Sequence, residues 1–91
     1  MKYTIKFTTQ FKKDIKAVEK QGKDTSKIFE VIQKLADGEV LEPKYKDHNL
    51  TGEYSKTREC HIEPDWLLIY QKYETELILM LIRTGSQSEL F

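Results

Sequence analysis

Two apolar runs stand close together near the C-terminal end, Trp66 to Tyr73 and Leu77 to Ile82, with Glu74 and Thr75 turning the chain between them. Runs this short read as strands. The second alternates so little that its strand belongs inside a sheet, covered at least partly on both faces. A chain carrying such a strand has to supply neighbours for its edges and a layer to cover it.

The N-terminal part can supply both. Tyr3, Ile5 and Phe7 alternate with Lys2, Thr4 and Lys6, which predicts a first strand. From about Gln10 the spacing becomes helical through Phe11, Ile15 and Val18, with Thr8 or Thr9 able to cap the start and Gly22 the end. Asp24 or Thr25 can cap a second helix with an apolar stripe of Ile28, Val31, Ile32 and Leu35, followed by Gly38. The short connection makes the two an antiparallel hairpin.

Residues 39–55 hold no sustained period and contain Pro43, Asp47, Asn49 and Gly52, so they read as a loop with one short strand near Leu50. Alternation returns from Lys56 to Glu63, with Thr57, Glu59, His61 and Glu63 on one face and Arg58, Cys60 and Ile62 on the other. Pro64 and Asp65 turn the chain into the first apolar run. In the tail RTGSQSELF, Ser86 and Glu89 have capping-box spacing, which predicts one helical turn after Gly85. The predicted fold class is α+β, a single domain over residues 1–91. An N-terminal strand precedes an antiparallel two-helix hairpin, packed on one face of a mostly antiparallel sheet whose other face is left relatively open.

Composition agrees with one small folded domain: 91 residues, 38% hydrophobic and 33% charged, with too little chain for a second core. The net charge is zero, yet the first third is rich in lysine and the remainder in acids. Whole-chain charge therefore gives no nucleic-acid signal. Lys12, Lys13, Lys16 and Lys20 on the outer face of the first helix suit either a basic contact surface or a plain solvated face. The lone Cys60 has no disulfide or zinc partner, which fits a reducing compartment. No apolar run approaches a signal sequence or the roughly 20 residues that span a bilayer. A cytoplasmic protein with no membrane partner is expected.

Both histidines, His48 and His61, fall between Lys46 and Tyr70 together with Asp47, Glu59, Glu63, Asp65 and Arg58. Imidazole titrates near neutrality and guanidinium stabilises negative oxygens, so this set suits acid–base chemistry at a phosphate. Each member also has an ordinary reading, as an exposed loop histidine or a turn aspartate. His48, His61 and Asp65 can alternatively be three ligands for a divalent ion, although no HExxH, CxxC or carboxylate-rich metal signature is present. Neither a phosphate-binding glycine loop nor a nucleophile elbow occurs.

The segments YKDHNLTG, RECHIEPDWLLIY and RTGSQSELF, in this order, resemble the YafQ group of the RelE/ParE toxin superfamily, and the likeness covers nearly the whole chain. The resemblance implies a helical hairpin on a curved sheet. It also implies a small toxin that enters the ribosomal A site (30S) and cuts messenger RNA without a metal or other cofactor. In that chemistry a 2′-hydroxyl attacks the adjacent phosphate, leaving a 2′,3′-cyclic phosphate and a 5′-hydroxyl.

By the family pattern His48, His61 and Asp65 would take base or transition-state roles. Arg83 would hold phosphate and Phe91 would place a base, while Glu59 stands where relatives have Asp or Glu and is assigned to substrate binding. Lys12, Lys13, Lys16 and Lys20 would meet ribosomal RNA. Gln87 occupies the place of a histidine that is the family's proposed proton donor. Glutamine fills similar space and donates a neutral hydrogen bond, but delivers no proton, so attenuated cleavage is expected. The resemblance further implies a DinJ-type antitoxin partner, with DNA bound only through the antitoxin complex. The alternative function is a non-catalytic binding module, acting on a protein target or as a co-repressor with the antitoxin.

Overall fold

The computed structural model describes residues 1–52 and 56–91. Strand β1 (Thr4–Phe7) is followed by helices α1 (Thr9–Lys20) and α2 (Thr25–Ala36), a 3-10 turn at Pro43–Tyr45, and strand β2 (His48–Asn49). Strands β3 (Arg58–Glu63), β4 (Trp66–Tyr73) and β5 (Ile78–Gly85) follow, then helix α3 (Gln87–Leu90). The sheet runs β1-β5-β4-β3-β2; the β1/β5 pair is parallel and the remaining pairs are antiparallel. This is the α+β arrangement expected from the change of period.

The helix boundaries follow from their caps. Thr8 Oγ1 accepts from Phe11 N–H at 2.9 Å and Asp24 Oδ1 accepts from Ser26 N–H at 3.0 Å, satisfying donors that have no partner within the helix. Gly22 and Gly38 close the two helices at φ +81° and +82°, a backbone region that L side chains rarely adopt. Ile28, Val31, Ile32 and Leu35 of α2, with Phe11 and Val18 of α1, pack on Cys60, Ile62, Trp66, Leu68 and Tyr70 of the sheet.

Strand β4 is buried continuously from Trp66 to Tyr70 and holds the middle of the sheet. Its alternate residues explain why. Trp66, Leu68 and Tyr70 face the helices, whereas Leu67 and Ile69 enter a second apolar cluster with Leu90, Leu50 and Ile82. The second face of the sheet is therefore partly covered, by α3 and the segment after β2, and is less open than the two-layer reading expected. The indole N–H of Trp66 donates to Thr84 Oγ1 at 2.9 Å, and that hydroxyl donates to Leu67 C=O at 2.7 Å, so the polar edge of this buried ring is satisfied.

Three further details differ from expectation. The last strand begins at Ile78, because Leu77 takes φ +56° in the turn, and it continues to Gly85 through pairing of Arg83, Thr84 and Gly85 with β4. Phe7, expected to face inward, is 48% exposed at the end of the edge strand. The loop expected over 39–55 contains the 3-10 turn and places His48 on a strand; the part at 53–55 lies outside the described residues. The capping box between Ser86 and Glu89 is present and makes α3 a defined turn on the sheet.

Candidate active site

Short as it is, β2 pairs His48 with Glu59 of β3, and the side chains meet on the face away from the helices. His48 Nε2 lies 3.0 Å from Glu59 Oε2. His61, two residues further along β3 and so on the same side of the pleat, has its Nε2 3.8 Å from the same oxygen. The imidazole centroids are 6.5 Å apart. Glu59 is only 7% exposed while His48 is 49% exposed, so a buried carboxylate lies beneath imidazoles that solvent can reach.

A backbone carbonyl holds the other nitrogen of each ring. Lys46 C=O is 2.6 Å from His48 Nδ1, and Pro64 C=O is 3.2 Å from His61 Nδ1. Both ring nitrogens of His48 thus face oxygens, Lys46 C=O on one side and the Glu59 carboxylate on the other. A base, an acid or a cationic clamp can each be made from such a pair. Glu59, assigned to substrate by resemblance, has the geometry of a group that orients both histidines from below.

The segment carrying His48 is anchored by a network centred on Asp47. Its carboxylate accepts from Tyr70 O–H at 2.6 Å and from Arg58 Nε and its terminal nitrogen at 3.3 and 3.2 Å. Arg58 also donates to Asn49 Oδ1 at 2.7 Å. Burial works against the Arg58 charge, but the hydrogen bonds and charge of Asp47, with Tyr70, outweigh it and raise the guanidinium further. Burial, then the bond to Asp47, raises the Tyr70 phenol too, so it remains a donor throughout the working pH range. Arg58, which composition offered for phosphate, is therefore committed to holding the loop. Removing the phenol in Tyr70→Phe is expected to cost about 1–2 kcal/mol, seen as a lower urea midpoint with an unchanged slope. The His48 ring resonances should broaden as its loop loosens.

The tail docks on the turn after His61. Gln87 N–H donates to Asp65 Oδ1 at 3.1 Å, which ties the start of α3 to the Pro64–Asp65 turn. Phe91 follows as an exposed ring, 54% accessible, with its N–H bonded to Gln87 C=O. Gln21 at the end of α1 reaches Glu89 at 3.1 Å. Hydrogen bonds from the Ser86 backbone and side chain, then from Gln21, hold the Glu89 carboxyl below its ordinary range. Asp65 follows Pro64, whose carbonyl meets His61, and bonds Gln87, so the tail is joined to the turn beside the histidine pair.

Arg83, expected to hold phosphate, is engaged by α1. Its guanidinium forms a two-pronged pair with Asp14 of α1, 3.0 Å at each contact, and Asp14 also accepts from Thr84 N–H at 3.1 Å. Lys12, Lys13, Lys16 and Lys20 are exposed on α1, with Lys12 Nζ 5.2 Å from the Phe7 ring. Asp14 and Tyr70 escaped the sequence reading, and Asp47, grouped there with the acids of the central run, anchors the loop. Asp14 alone left a signal, because it lies three residues after Phe11 and four before Val18, on the apolar stripe of its helix. Among the described residues no group of three or more His, Cys, Asp or Glu side chains is placed to hold a metal ion, so the three-ligand alternative is not assembled. Nor is any helix among them long and apolar enough to cross a membrane.

Comparison with known proteins agrees in sequence and in shape. Residues 3–91 match the family described as "Bacterial toxin of type II toxin-antitoxin system, YafQ". The mRNA interferase toxin YafQ of Escherichia coli (strain K12) is 38% identical over 88 residues, covering 96% of this chain and 94% of that protein. A metal-bound toxin from Helicobacter pylori superposes with a TM-score of 0.91 at 46% identity, covering 98% of this chain and 99% of the other. The toxin of the E. coli DinJ-YafQ complex superposes with a TM-score of 0.89 at 36% identity, covering 98% of each chain. The chain therefore belongs to the YafQ family of bacterial toxins of type II toxin-antitoxin systems.

Proposed function

We propose that this toxin is an mRNA endoribonuclease that acts in the ribosomal A site and cleaves by attack of the substrate's own 2′-hydroxyl. The observation that carries the reading is the pair of imidazoles over one buried carboxylate, with Glu59 Oε2 3.0 Å from His48 and 3.8 Å from His61. One imidazole or Asp65 removes the 2′-hydroxyl proton, and the 2′-oxygen bonds to phosphorus. The bond from phosphorus to the 5′-oxygen breaks, and that oxygen takes up a proton. A cation beside the phosphorane lowers the barrier further, since fixed charge is worth most where water is excluded. Phe91, whose ring is exposed, would receive a base.

The relative named mRNA interferase and the coverage of both chains support the reaction class. The four α1 lysines supply a surface for ribosomal RNA phosphates, which predicts salt-sensitive loading. A DinJ-type antitoxin is the expected protein partner, by analogy with the E. coli complex, and DNA would be met only through it. Gln87 favours a second reading in which the chain acts chiefly as a binding module or co-repressor, because a glutamine supplies no proton.

Toxin incubated with ribosomes stalled on a defined message, followed by mapping of new ends, separates the two. Slow cuts at A-site codons leaving 2′,3′-cyclic phosphate, abolished by a His48→Ala, His61→Ala double substitution, are expected. Cuts of equal rate in that double variant would reject the histidine pair.

A further inference from the structure

A cleft of about 490 Å³ opens beside His61, walled by the 3-10 turn on one side and by the end of β3 on the other. This lies within the roughly 300–1,000 Å³ typical of small-molecule sites. We propose that it receives the message nucleotide next to the cleaved bond, with the base against the Tyr45 ring and the phosphate at Lys44 and Lys46. The assignment rests on the nuclease reading above and names a substrate subsite of the same site.

Three observations carry it. First, the cleft is joined to the histidine pair through the backbone. Lys46 and Pro64, whose carbonyls hold His48 and His61, both line it, as does His61 itself. A chain seated in the cleft continues directly to the imidazoles. Second, Tyr45 offers an aromatic surface in a cationic setting: it is half-buried against the core, with Lys44 Nζ 5.1 Å and Lys34 Nζ 5.8 Å from its ring. Stacking on such rings is the sequence-tolerant way of holding a single-stranded base.

Third, charge in the wall is arranged unevenly. Lys27 is neutralised by Glu63 at 2.7 Å, whereas Lys44 is only loosely matched by Glu42 at 4.0 Å. Lys46 adopts φ +49°, its carbonyl meets His48 Nδ1, and the residue lines the cleft. Among the described residues lining the cleft, Glu30 is the acid left beside Lys44 and Lys46, which suits the cleft to one phosphate.

The test is an NMR titration of the full chain with a short 2′-O-methyl oligoribonucleotide, which has no 2′-hydroxyl to attack. Shifts are expected at Lys44, Tyr45, Lys46 and His61. Tyr45→Leu should weaken binding about 5- to 100-fold while Tyr45→Phe retains it, and Lys44→Gln should lower the salt slope by about 0.7. Shifts confined to the α1 lysines, no shifts at all, or equal affinity in Tyr45→Leu would overturn the assignment. Ribosome cleavage by the Gln87→His form without shifts in the cleft would reject the cleft and leave the nuclease standing. Shifts in the cleft without cleavage by either form would do the reverse.

Discussion

Gln87→His is expected to raise the rate of message cleavage on the ribosome by about 10²- to 10⁴-fold, the usual worth of a positioned general acid. The position allows the exchange. Gln87 is exposed at the first turn of α3, and its contact with Asp65 is made by the backbone N–H, which histidine keeps. Stability should therefore stay within about 0.5 kcal/mol of the parent. An imidazolium there would deliver a proton to the leaving 5′-oxygen, which the amide cannot. The pH profile distinguishes this from a gain in binding. In the histidine form the single-turnover rate should fall as pH rises past about 6.5, because the acid form is lost, and this limb should be missing from the parent. Equal rates, or a gain confined to KM, would remove position 87 from the chemistry.

The sequence made the scaffold legible because each element carries its own period and stop. The alternation of Tyr3 and Ile5, the helical stripes with Thr8 and Asp24 before them, and the Ser86/Glu89 capping box are local signals, and all lie where local geometry predicts. Clustering in one short run drew attention to His48, His61 and Asp65, and the resemblance assigned them roles. What escaped was long-range. Glu59 looks like an exposed member of an alternating strand, and only the pairing of β2 with β3 shows that it is buried beneath two imidazoles. Asp47 and Tyr70 are 23 residues apart and no pattern joins them. The cleft likewise needs the 3-10 turn to fold over the end of β3, a placement that no period encodes.

Asp14→Ala is expected to be among the most destabilising single changes, costing about 2–4 kcal/mol out of the 5–15 kcal/mol typical of small domains. Asp14 is 8% exposed and serves Arg83, the Thr84 N–H and Gln10, so its loss takes the acceptor from the buried Thr84 N–H and a carboxylate from the partly buried Arg83. The estimate sits below the 3–5 kcal/mol of a fully buried pair, because Arg83 is 28% exposed and water can take part of its charge. Asp14→Asn keeps an acceptor for Thr84 and should cost less. In a double-mutant cycle with Arg83→Ala, urea unfolding should return a coupling of about 1–3 kcal/mol. Coupling near zero would mean that the two-pronged pair is idle in solution. On the proposed phosphate-holding role of Arg83, Asp14 on α1 fixes the direction of its guanidinium. Asp14→Asn should therefore slow cleavage in the Gln87→His background more than it lowers stability. If the rate tracked only the folded fraction, Asp14 would be a fastener of α1 to β5 with no part in aiming Arg83.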